Sequence, residues 1–525
     1  MRFLPLLLSV ALVGCAQTED GASGNGPDGD APASTADAVT APSGSTAPIA
    51  PPAGCTSIGT MESALATASA DGEMILTVDA QALNETSWGA AGNEAVVLEV
   101  RKNAKRLGHL VLHQGKDSFA YTMHTGFVAK GDKLTVKVSE LTAKNAQKAA
   151  CVSRVKLEAP PANMAEGVAN APILKWPAQK SFDDLPVISG WSRKGKSYQV
   201  VYTNEDGGTV ALCGGGATGM RSEIARWGRG VDIEGAYSYG SGPKFERCGG
   251  ADVKPRMEGT HAVLYYGNGH NNLFESRGGY GQACGTKSDA EANGDLEGWN
   301  KNNPGNEEAK DDPYTIVLRP APVDMEAGGS REDLVNAYAP WLYRVLDLEL
   351  KKEKKVDNDK VLSMERYLYV DVYANDVGGS GDETCGPISA LPGLHRVDGG
   401  FRLRAVSKDG TVSDGPQMTK DYFGGDGNGV KRVAIPLKAG VKASDIAKIT
   451  FDAYDNDGIY FLGIGDAFVP RATGTNSATL DYVNKGDIKR ADVYVDDNND
   501  GCVNGANTKD GRAYECVGSA YTLSF

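Results

Sequence analysis

Two short stretches hold most of the residues able to do chemistry. "YTNEDGG", Tyr202 to Gly208, supplies Glu205 and Asp206, and "ARWGRGVDIEG", Ala225 to Gly235, supplies Asp232 and Glu234 with Arg226, Trp227 and Arg229. Glycoside hydrolysis needs two carboxyl groups across one bond, one an acid and the other a nucleophile or base, at a separation that sequence spacing does not reveal. Glu205 or Asp206 with Asp232 or Glu234 meets the chemical half of that requirement. Trp227 offers a face for a sugar ring, and Arg226 and Arg229 offer forks for an anionic group. The same residues also suit plain structure. Gly207 and Gly208 make "NEDGG" a turn after a strand, and the arginines of "SEIARWGR" suit ion pairs on a helix. Binding without cleavage needs an exposed aromatic platform, and burial of Trp227, Tyr237 and Tyr239 would weaken that reading. His270 and Asn272, near Glu275, suit either the wall of a ligand pocket or the satisfaction of loop backbone.

The sharpest metal pattern is "DDNNDG". Asp496, Asn498 and Asp500 stand at positions one, three and five, with Gly501 at six. Hard oxygens at that spacing converge on one cation, and the glycine permits the sharp turn. The stretch resembles the loop shared by EF-hand proteins and several extracellular calcium repeats. It departs from the EF-hand at position twelve, where Asn507 replaces the bidentate Glu, and the preceding "ADVYV" reads as a strand. The expectation is a structural Ca2+ loop with Asp510 as a substitute ligand, against an Asx-rich turn closed by Cys502–Cys516. His109 and His113 share a strand face and read as structural residues. No GxSxG, HExxH, Walker A or post-strand GxGxxG pattern is present, which disfavours nucleotide chemistry and common hydrolase chemistry.

The elements expected to carry these residues are mainly strands. The fold class is mainly β: several antiparallel β-sandwich-like domains with long Gly/Asn/Asp-rich loops and few short helices, in keeping with 66 glycines in 525 residues. Residues 54–157 read as a small β-sandwich from "MILTVDA", "AVVLEVRK", "LGHLVLHQG", "SFAYTMHTG" and "KLTVKVSEL". In strand rhythm this region resembles carbohydrate-binding modules appended to secreted glycan enzymes, and a plain Ig-like spacer fits equally. Residues 158–172 read as a linker, 173–329 as a loop-rich β domain and 330–525 as a C-terminal β-sandwich region. In the last, a capping-box variant at Ser330 opens a short helix that Pro340 limits, and both "LYRVLDLELKK" and "RYLYVDVYAND" read as strands.

The N-terminus predicts where the protein resides. Arg2 and the apolar run Phe3 to Val13 form a signal peptide, residues 1–14, ending in Leu12-Val13-Gly14-Cys15. This resembles a bacterial lipobox, which implies cleavage before Cys15 and its acylation. Ala16 in place of Asp resembles outer-membrane sorting. The expectation is an exported protein, lipid-anchored to the cell envelope at the outer membrane, on a disordered stalk through residue 53. The net charge of −14 argues against nucleic acid and anionic lipid surfaces as partners and favours cations. Once Cys15 is set aside, eight of the nine cysteines remain for disulfides. Cys55 pairs with Cys151 and Cys502 with Cys516 as brackets of a domain and a loop, while Cys213, Cys248, Cys284 and Cys385 leave three connectivities open. The functional expectation is a surface lipoprotein binding an extracellular ligand, first of all a glycan, with a protein as the other partner class. The alternatives are a polysaccharide hydrolase and a structural envelope protein.

Overall fold

The computed structural model describes residues 53–525 apart from 178–181, 183–184, 204–208, 213–214, 219–230, 232, 244, 248–250, 254, 267–272, 275–314, 326–332, 353, 355, 357–360, 377–399, 419–429, 455–458, 497–505 and 510–511. The fold is mainly β, as the strand rhythm predicts, with antiparallel pairing predominant and three α-helices among the described residues.

Period-two alternation builds the N-terminal sandwich. In Gly72–Ala82, Met74, Leu76, Val78, Ala80 and Ala82 are buried while the residues between them are half-buried, so one face of the strand forms core. One sheet runs Thr56–Ile58, Ala150–Glu158, Gly72–Ala82, Phe119–Val128. The other runs Ser63–Thr67, Lys133–Val138, Val96–Lys102, Lys105–Leu112. A Cys55–Cys151 disulfide, with Cα atoms 5.6 Å apart, joins the two ends as the cysteine positions predict.

The stretch 158–172, expected as a linker, carries packed structure. Helix α1 (Ala165–Asn170) buries Gly167 and Val168, and the Tyr198 hydroxyl donates to the Gly167 carbonyl at 2.5 Å. Strand Ile173–Pro177 then pairs in parallel with His261–Tyr266 and antiparallel with Thr315–Leu318. A neighbouring sheet runs Ile233–Ser238, Ser197–Tyr202, Pro186–Ser192, Val323–Asp324.

Helix α2 (Asp333–Tyr338) lies where the capping pattern places a helix, although Ser330 is outside the described residues. "LYRVLDLELKK" corrects the expected strand: it forms helix α3 (Leu342–Lys352). Leu342, Val345, Leu346 and Leu350 recur at helical spacing and are fully buried. Arg344 and Lys351 flank Asp347 at 3.0 and 2.7 Å, one turn to either side. Over so few residues an apolar run satisfies both periods, and here tertiary burial selects the helix. "RYLYVDVYAND" is the expected strand, Tyr367–Asp376.

The C-terminal sandwich closes a larger sheet centred on Tyr367–Asp376 and Ile459–Ala472 over Val412–Met418, Gly400–Ser407, Ile446–Tyr454 and Ala520–Ser524. It has a separate apolar core, including Leu403, Phe451 and Phe461. A second core is continuous from Ile58 through the middle sheets and α3 to Phe468. The N-terminal sandwich, the middle sheets and the helices are therefore packed as one body.

Candidate functional site

Most residues nominated for chemistry fall outside what the structure describes. Glu205, Asp206, Arg226, Trp227, Arg229, Asp232, His270, Asn272, Asn498, Asp500, Cys502 and Asp510 lie outside the described residues. Glu234 sits in strand Ile233–Ser238 opposite Val200. Asp496 is fully buried at the end of strand Lys489–Val495, and Asn507 lies in strand Ala506–Lys509. Cys516 is disulfide-bonded. Of the platform residues, Trp227 lies outside the described residues, Tyr237 is buried and Tyr239 is half-buried. Tyr198, Tyr237 and Tyr239 stack along the sheet with ring centroids 5.9–6.3 Å apart.

The structure instead brings aromatic residues together elsewhere. A cavity of about 210 Å³ opens between the N-terminal sandwich, the strand Pro186–Ser192 and the turn joining α2 to α3. Phe119, Tyr121 and Met123 line it from alternate positions of one strand, so the pleat turns all three to the same side. His113 stacks on Trp341 with centroids 3.7 Å apart and planes 13° from parallel. Phe119 and Tyr121 meet His113 edge-on at 5.0 Å. Tyr338, 40 % exposed, also lines the cavity and reaches solvent, and Pro340 separates it from the buried Trp341. Leu185, Ile188 and Val323 complete an apolar flank.

Polar atoms in this wall are few and specific. His109 Nδ1 accepts the Val317 amide hydrogen at 2.9 Å, so the neutral ring carries its proton on Nε2. That Nε2 and the Trp341 Nε1 are buried and have no hydrogen-bond partner among the described residues. Burial, with Arg106 and Lys137 adding to it, pushes His109 down to about 3. Burial alone brings His113 to about 3, and burial with the nearby Asp117 raises the Tyr121 phenol. Arg319, also in the lining, is already engaged, donating to the Leu107 carbonyl at 2.8 Å and to Glu258 at 2.5 Å. At neutral pH the wall is aromatic and uncharged at its histidines. Sequence reasoning placed His109 and His113 on one face but missed the pocket. Its other walls come from residues up to 232 positions away, and the available signal was the cluster Tyr338-Ala339-Pro340-Trp341.

A second polar cluster lies apart from it. Carboxylate oxygens of Asp333, Asp371 and Asp466 fall within 4.8 Å of one another. The buried Arg432 holds Asp371 through two bonds of 2.7 and 2.8 Å and lies 3.8 Å from Asp333, while Asp466 accepts the Gly486 amide hydrogen at 2.7 Å. This is an ion-pair network tying α2 to the C-terminal sandwich. Asp371, an acid in the apolar run "RYLYVDVYAND", was its sequence signal.

The fold and pocket define a multi-sandwich β-protein with a small aromatic cleft. No family model matches the chain, and no curated protein matches it. Among solved structures, the chain is similar to one described as "EclA C-terminal domain; sugar-binding protein", at 18% identity over 21% of this chain and 74% of that chain, with a TM-score of 0.15. A likeness at that TM-score carries no argument about fold or ligand.

Proposed function

We propose that this protein is an envelope-anchored binding protein that takes one sugar ring of an extracellular glycan into the aromatic cleft. The carrying observation is the cleft bounded by Trp341, His113, Phe119, Tyr121 and Tyr338. An apolar cavity of about 150 Å³ accepts a benzene ring, so the space here suits a six-membered ring. Aromatic faces suit the C–H face of a sugar. Acylation of Cys15 would hold the body at the outer membrane, and a Ca2+ ion in the loop begun by Asp496 would serve structure rather than recognition.

The test is a glycan array followed by calorimetric titration of the full chain, with calcium and with chelator. Tyr338→Ala removes a cleft side chain that is already part-exposed. Binding is expected to weaken at least about tenfold, a loss of about 1.4 kcal/mol, with the thermal midpoint unchanged. Undiminished affinity in that variant, or no glycan bound in either condition, refutes the reading.

A further inference from the structure

Two of the protein's six histidines, His270 and His395, lie outside the described residues, and the other four gather at one seam. His109, His113, His124 and His261 are all buried where the N-terminal sandwich meets the rest of the body. His109 bonds Val317 of strand Thr315–Leu318, and His113 stacks on Trp341. The His124 ring stacks on that of His261 at 4.6 Å, and its Nε2 donates to the Pro172 carbonyl at 3.3 Å. His261 Nδ1 donates to the Ala171 carbonyl at 2.8 Å, while its Nε2 lies 3.3 Å from Glu73 without hydrogen-bond alignment. Backbone pairing continues the seam, with the His124 amide on the Arg319 carbonyl at 2.8 Å and a bridge between Met123 and Pro320.

We propose that this seam is an acid-operated latch. Protonation of His109 and His124 parts the N-terminal sandwich from strand Thr315–Leu318 and from Trp341, and so empties the cleft between them. Release of a bound sugar rests on the function proposed above, whereas the parting of the seam does not.

The chemistry is local. His109 Nδ1 accepts from Val317 as long as it is unprotonated; a proton there sets donor against donor. The charged groups around it are Arg106 on its own strand, with Glu99 opposite it and Lys137 beyond Glu99. Glu99 is engaged by Arg101 at 2.6 Å and Lys137 at 3.8 Å. Among the described residues His124 Nδ1 has no partner, so a second proton on that ring meets no acceptor among them. Facing it across the seam are His261 and Arg319; Glu73, on the neighbouring strand of its own sheet, lies 3.3 Å from His261, and Glu258 pairs with Arg319 on the far side. Burial leads the forces that keep both rings neutral.

Hydrogen exchange read by mass spectrometry on the full chain, without ligand, tests the latch. Rates are corrected for the intrinsic pH dependence and compared between about pH 7 and about pH 4. Protection over Thr315–Leu318 and Lys105–Leu112 is expected to fall at least tenfold while Ile446–Tyr454, in the C-terminal sandwich, stays protected. Seam protection that persists in acid overturns the proposal, as does its loss in one step with the C-terminal strand. His124→Phe keeps a stacking ring and removes a titrating one, so it should cut the acid-induced loss several-fold; an unaltered response overturns the role of His124. Should that variant not fold, the wild-type comparison still decides. Because no ligand is present, failure of the glycan reading leaves this result untouched.

Discussion

At the scale of single residues, burial decides what a polar group does. Arg432 is fully buried, yet its Nε and Nη2 both donate to Asp371, with Asp333 close by. A buried pair of this kind is weak evidence of net stability, because desolvation offsets much of the attraction. Removing one partner is a different matter. Arg432→Met takes both guanidinium bonds from the buried Asp371, which is 4 % exposed, and should cost about 3–5 kcal/mol. Adding Asp371→Leu removes the buried charge and should recover part of the loss. Urea denaturation of the two single variants and the double closes the cycle. Additive losses would show that the two side chains do not depend on each other.

At the scale of elements, close approach fixes residue choice. Helix α1 lies against Trp191, and a Cβ on Gly167 would stand 2.6 Å from that ring. Gly167→Ala raises intrinsic helix propensity, yet overpacking should outweigh it and destabilise the protein by about 1–3 kcal/mol. Chemical denaturation measures the sign, and a stabilised variant would mean that α1 moves freely off the indole. Nothing in "MAEGVAN" forecasts that contact, because the indole arrives from a later strand. Where one face of a strand is buried, as in Gly72–Ala82, alternation is written in the residues and the strand is legible. Leu342–Lys352 was not, since Leu342, Val345, Leu346 and Leu350 satisfy a helix while the neighbouring alternation imitates a strand. The Cys55–Cys151 closure was legible because the cysteines bracket a self-contained strand set. The cleft was not, because Phe119, Ile188 and Trp341 become neighbours through packing alone.

At the scale of the whole molecule, two apolar cores divide the response to acid. The larger unites the N-terminal sandwich, the middle sheets and α3, and it borders all four described histidines; the smaller, in the C-terminal sandwich, holds no described histidine. His109 and His113 are held near 3 in the fold, against an ordinary value of 6.5. The unfolded chain therefore binds more protons than the folded one between those values. The stability the two groups confer is complete above about pH 6.5 and declines as pH falls toward about 3. By about pH 5 each has cost about 2 kcal/mol, which is 1.36 kcal/mol for each unit below the unfolded value. Differential scanning calorimetry should show one or two overlapping transitions near neutrality. On acidification the transition of the larger core should move to lower temperature and separate from that of the C-terminal sandwich, which should hold its midpoint more closely. His113→Phe, which keeps a ring against Trp341, should lessen the displacement of the first transition and leave the second alone. Both transitions shifting in parallel would mean that acid acts through charges spread over the molecule rather than through the histidine seam.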